Sequence, residues 1–69
     1  MTLTPRQEQV LSLVAQGRTD KEIAGILFLS VGTVEFHMGK ILRRLEAKSR
    51  AHAVAIRFAP AKSKQLFTF

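Results

Sequence analysis

An all-α domain of four short helices is what this sequence predicts, on three observations. Apolar residues recur three and four positions apart through most of the chain, the spacing of one helix face. A hydroxyl residue suited to capping stands at the head of each such stretch, at Thr4, Thr19, Ser30 and Ser49. No stretch alternates apolar and polar residues as a strand would. With 69 residues and no cysteine, the chain supports one small domain. Packing, helped by self-association, has to hold it, without a disulfide framework or a thiolate metal site.

The first helix begins at Thr4-Pro5-Arg6-Gln7. Thr4 caps, proline suits the first helical position, and Gln7 closes a capping box. Val10, Leu11 and Val14 mark the core face, and Gly17 ends the helix in a left-handed conformation. Thr19 and Glu22 repeat the device for a shorter second helix, with Ile23, Ala24 and Leu27 facing inward. Only Phe28 and Leu29 separate it from the Ser30 cap of a third helix, residues 31 to 45. There Val34, Met38, Ile41 and Leu45 form an apolar stripe. At about 100° per residue, Gly32, Glu35, Phe36, Gly39, Lys40 and Arg43 turn the other way. So short a link makes the second and third helices cross at a large angle, and small Ala24 suits their closest approach. This is the order of a helix-turn-helix, which presents the N-terminal half of its second helix to a DNA major groove. An ordinary helical corner in a small all-α domain has the same order.

Ser49 caps a fourth helix running to about Ala59, before Pro60. Ala51, Val54, Ala55 and Phe58 make one apolar side of it, and Ala53 and Ile56 another. A helix apolar on two sides in so small a chain suits contact between copies, at Ala53, Ile56 and Arg57. The alternative is a terminal helix wrapped by its own domain or by the tail. Residues 1–59 therefore form the domain, and residues 60–69 a basic and aromatic tail. That tail is either disordered or folded back through Leu66, Phe67 and Phe69.

The net charge of +6 is unevenly placed. In residues 1–39, Arg6, Arg18 and Lys21 stand against Glu8, Asp20, Glu22 and Glu35, leaving −1. In residues 40–69, eight lysines and arginines stand against Glu46 alone, leaving +7. Clustered positive charge suits a polyanion, through phosphate contact and counterion release. Charge alone does not choose between that and a solubilising surface. No apolar run approaches the roughly 20 residues of a membrane span, and the N-terminus has no signal pattern. A cytoplasmic protein with no membrane partner is the expectation.

Four elements taken in order carry a resemblance that covers residues 3–56: LTPR opening the first helix, KEIA in the second, GTVEFH in the third, and KSRAHAV opening the fourth. The run resembles the LuxR/GerE-type helix-turn-helix domain. Region 4 of sigma factors shares the first two elements but differs at His37 and at KSRAHAV. The resemblance implies a four-helix DNA-binding domain of bacterial transcription regulators, or the effector domain of a response regulator. Residues 31–45 would be its recognition helix and the fourth helix its homodimer contact. The target implied is a roughly palindromic double-stranded site with half-sites about one turn apart. RNA polymerase or a larger regulator would be a further partner.

On this reading Thr33, Glu35, Phe36 and Lys40 face the groove, with the Ser30 cap beside them. Arg43, Arg44, Lys48 and Arg50 hold phosphates. Thr33 also suits a phosphate. Glu35 stands where the family often has lysine, though the FixJ-like branch resembles TVE-x-H here. A carboxylate accepts from a cytosine amino group and cannot bind phosphate. Phe36 suits a thymine methyl or a partner protein, and Gly39 permits close approach to DNA. Phe28 stands where a turn glycine is often found, so the turn either avoids positive φ or lets Phe28 cap the core. Glu46 replaces the glycine that usually ends the recognition helix, which weakens that C-cap.

Catalysis lacks an inventory: there is no Cys, Tyr or Trp, and His37 and His52 lie on different helices with no nucleophile nearby. His37 is expected to be a half-buried structural imidazole and His52 exposed. No enzyme activity, cofactor or metal site is expected. The rival to DNA binding is a protein-interaction module of the same fold that heterodimerises with a larger regulator.

Overall fold

In the computed structural model, which describes residues 2–58, four helices follow one another: α1 (Pro5–Ala15), α2 (Asp20–Leu27), α3 (Val31–Leu45) and α4 (Arg50–Phe58). No strand occurs among the described residues. The expected helix end at Ala59 and both readings of the tail lie outside them.

Each helix starts where a side chain takes over an orphan N–H. Thr4 and Gln7 form a reciprocal box: the Thr4 N–H donates to Gln7 Oε1 at 2.9 Å and the Gln7 N–H to Thr4 Oγ1 at 3.1 Å. Thr19 and Glu22 repeat it at the same two distances, 2.9 and 3.1 Å. At α3 the Thr33 N–H donates to Ser30 Oγ at 3.1 Å. At α4 the His52 N–H donates to Ser49 Oγ at 3.0 Å, and His52 Nδ1 accepts from the Lys48 N–H at 2.9 Å.

The helix ends share one geometry as well. Gly17, at φ +88°, closes α1 while the Arg18 N–H reaches back to Leu13 O at 3.1 Å. Phe28 closes α2 in the same left-handed region, at φ +60°, with the Leu29 N–H on Ala24 O at 2.8 Å. Glu46 closes α3 at φ +54°, with the Ala47 N–H on Leu42 O at 2.8 Å. The two readings left open for Phe28 are both corrected. Its φ is positive, and its side chain is 93% exposed instead of capping the core. The carbonyls at the end of α2 need the reverse turn whichever residue supplies it.

The core is one cluster. Leu3, Val10 and Leu11 meet Ile23 and Ala24 of α2, Val34, Met38 and Ile41 of α3, and Ala53 of α4. Val14, Leu27 and Leu45 pack half-buried at its edge. α3 packs against all three other helices. Its stripe is the keystone: burying Val34, Met38 and Ile41 contributes roughly 1.5–3 kcal/mol per side chain.

Ala53 corrects the expected contact between copies. It is 0% exposed, because α4 turns that side into the core, so it has no surface for a partner. Arg57 is occupied too, its Nε donating to both Glu8 carboxylate oxygens at 3.0 and 3.1 Å. Ile56 stays 45% exposed. Ala51, Ala55 and Phe58 occupy the outward side, all exposed.

Candidate nucleic-acid interface

α2 and α3 meet at a bend of 105°, within the range of helix-turn-helix corners. The bend leaves α3 standing across the domain with one side in the core and the other in solvent. No single described helix is long and apolar enough to cross a membrane.

From its N-terminus, α3 presents first a small polar step. Ser30 Oγ and Thr33 Oγ1 lie 2.9 Å apart, so the two expected contact hydroxyls are brought together above the helix start. One turn on, Glu35 and Phe36 are exposed, Phe36 to 61%. The Lys40 ammonium sits over the Phe36 ring, 5.1 Å from its centroid, and the His37 ring meets Phe36 at 6.1 Å in a tilted arrangement. The cation holds the aromatic ring against the helix side in place of a hydrophobic pocket. His37 is half-buried and His52 exposed, as expected. A Cβ at Gly39 would meet nothing within 4 Å, so that position opens onto free space.

The positive groups begin one turn later. Lys40, Arg43, Arg44 and Lys48 are all exposed, and none pairs with a carboxylate among the described residues. Arg44 Nη1 donates to the Thr2 carbonyl at 2.9 Å, which ties the end of α3 to the chain's start. Arg50, expected at a phosphate, is engaged within the domain. Both its terminal nitrogens donate to the Asp20 carboxylate, Nη2 to Oδ2 at 2.8 Å, and the fork joins α4 to α2. The Arg50 guanidinium, by hydrogen bonding first, holds the Asp20 carboxyl below its ordinary value, with burial opposing. Glu35 is close enough that its charge adds to the field on Arg50.

Sequence reasoning missed two residues. Thr4 and Gln7 entered only as caps of α1, yet together with Lys40, Arg43 and Arg44 they line an open cleft of about 380 Å³. The chain separates Gln7 from Arg43 by more than thirty positions, so only the packing of α1 on α3 brings them together. The one signal available was chemical: a glutamine in a capping box keeps a spare amide donor that a glutamate would lack.

Comparison with known proteins agrees with this geometry. The sequence profile for "Bacterial regulatory proteins, luxR family" matches residues 1–57. The transcriptional regulatory protein DesR of Bacillus subtilis (strain 168) is 46% identical over 52 residues, 75% of this chain and 26% of DesR. The transcriptional activator protein CarR of Pectobacterium carotovorum subsp. carotovorum is 44% identical over 52 residues, 75% of this chain and 21% of CarR. The quorum sensing-dependent regulator RpaR of Rhodopseudomonas palustris is 45% identical over 53 residues, 77% of this chain and 22% of RpaR. The chain thus spans about a quarter of the length of these relatives. A profile match over nearly the whole described region, on a helix-turn-helix with these caps and this core, places the chain in the luxR family of bacterial regulatory proteins.

Proposed function

We propose that this domain binds double-stranded DNA in a sequence-specific manner, as a dimer, and regulates transcription by doing so. The observation that carries the reading is the outward side of α3: Glu35, Phe36, open Gly39 and Lys40 in one exposed stripe on a helix whose other side is locked into the core. Such a helix lies in a major groove with its N-terminal turns on base edges. Glu35 accepts from a cytosine amino group and Phe36 packs on a thymine methyl. Arg43, Arg44 and Lys48 follow on the phosphates, with the Ser30 and Thr33 hydroxyls at the helix start. The regulators named DesR and CarR support the regulatory role at the level of the family.

The dimer uses the outward side of α4, through Ala51, Ala55, Ile56 and Phe58. Two α3 helices related by a twofold axis then read a palindromic site with half-sites about 34 Å apart. Selection from random duplexes, followed by footprinting of the enriched sequence, tests both parts. Two inverted half-sites one turn apart are the expected result. Binding that is salt-sensitive but enriches no motif would instead indicate a module that works by pairing with another protein. Ala55→Glu puts a charge on the outward side of α4, and should lower self-association in sedimentation while single half-site binding persists.

A further inference from the structure

We propose that the cleft between the start of α1 and the C-terminal half of α3 is a built phosphate site, filled by a backbone phosphate of the bound duplex. This rests on the duplex-binding reading for the source of the phosphate. The chemistry of the cleft does not.

Every group the cleft offers is a donor. Gln7 is 96% removed from solvent, at 4% exposure, and its Oε1 is already used by the Thr4 N–H. Its Nε2 donates to no acceptor among the described residues and keeps access to solvent, and Gln7 is part of the wall of the cleft. Thr4 Oγ1 accepts from the Gln7 N–H, which leaves the hydroxyl proton to give outward. Lys40 and Arg43 have no carboxylate partner among the described residues. Arg44 is oriented by its bond to Thr2 O and retains further N–H groups. The amino end of α1 adds a partial positive charge. Glu8, the acid of that first turn, is turned away onto Arg57. Three cations, an amide donor on a largely buried side chain and a hydroxyl, with no carboxylate in the lining, match the oxygens of a phosphate.

Position selects the backbone over a free phosphate. Lys40 and Arg43 lie four and seven residues beyond Phe36 on one side of α3, about 6 and 10.5 Å along the axis. A helix with Phe36 against base edges meets the sugar-phosphate wall at that distance, since the major groove is only about 12 Å wide. α1 then closes on the phosphate from the other side. The site sets how deep α3 enters and along which register.

The test compares the wild-type protein with Gln7→Glu and Arg43→Ala. Glutamate keeps the capping-box acceptor and so keeps the start of α1, but it removes the amide donor and adds a negative charge. Fluorescence anisotropy on the selected duplex should show at least tenfold weaker binding for Gln7→Glu with an unchanged melting temperature. Arg43→Ala should reduce the slope of log affinity against log salt by about 1. One neutral methylphosphonate at the contacted position should weaken the wild type and leave Gln7→Glu unaffected. Should Gln7→Glu not fold, Arg43→Ala with the methylphosphonate duplex makes the same comparison. In a parallel arm, inorganic phosphate titrated against matched chloride should move the Gln7 side-chain amide in NMR spectra. Wild-type duplex binding that both variants reproduce in affinity and slope, with a Gln7 amide that inorganic phosphate does not move, overturns the site. A Gln7 amide that answers inorganic phosphate while both variants bind duplex normally means a free phosphate ligand, and overturns the backbone assignment. A wild type that binds no duplex removes the DNA reading itself, a result distinct from the other two.

Discussion

Phe28 and Glu46 adopt the backbone that Gly17 adopts, but with side chains that the left-handed region disfavours by roughly 1–2 kcal/mol. Phe28 recovers little of this, since at 93% exposure it buries almost nothing. Phe28→Gly and Glu46→Gly should therefore each stabilise the domain by about 1 kcal/mol, a rise of roughly 4–8 °C in melting temperature. A fall in either melt would show that the side chain contributes more than its backbone costs. On the proposed reading surface the informative position is Glu35. A carboxylate selects cytosine by accepting from its amino group, whereas a glutamine amide matches the paired acceptor and donor of adenine. Random-site selection with Glu35→Gln should move one position of the half-site from cytosine to adenine, at a discrimination of about 1–3 kcal/mol. An unchanged motif would place Glu35 outside the groove.

Among the elements, α2 and α4 are joined by the Asp20–Arg50 fork, and its sign with pH follows from the carboxylate. Asp20 is held below its ordinary value of 3.8, so the stabilisation it gives is complete above that value. It is lost as acid protonates the folded carboxylate below it. The pair is partly exposed, which limits its contribution to about 1 kcal/mol. Thermal melts from about pH 6 down to about pH 3 should show the wild type losing stability in the acid limb. Asp20→Asn should begin lower and fall less, and parallel curves would deny the fork a role. This fork also shows where reading the chain stops. Thr4 with Gln7 and Thr19 with Glu22 were legible because a cap and its partner are three residues apart. The stripe Val34, Met38 and Ile41 was legible because the spacing repeats over fifteen residues of α3. Arg50 finds Asp20 across thirty positions, and no local pattern encodes that. α4 is only nine residues long and apolar most of the way round, so its wheel did not say that Ala53 turns inward. The left-handed Phe28 was hidden because glycine is the usual marker of that backbone.

For the whole molecule, charge and shape divide α3 into two halves. On the proposed reading Lys40, Arg43, Arg44 and Lys48 offer four phosphate contacts per protomer, and each neutralised phosphate contributes about −0.9 to the salt slope. A dimer should therefore show log affinity falling against log salt with a slope near about −7, measured on the selected duplex. A slope shallower than about −2 would mean that most of these cations stay in solvent. The turns proposed to read bases carry Glu35 and no cation before Lys40. In a register that offers it no cytosine amino group, that carboxylate faces the phosphate field, so it raises the energy of those wrong registers. A genome offers about 10⁶–10⁹ such wrong registers for each correct one. Occupancy of a target depends on how quickly the decoys are abandoned as much as on how tightly the target is held. If α3 reads bases as proposed, a helix acidic at its tip and basic behind it favours short stays on decoys and so shortens the search.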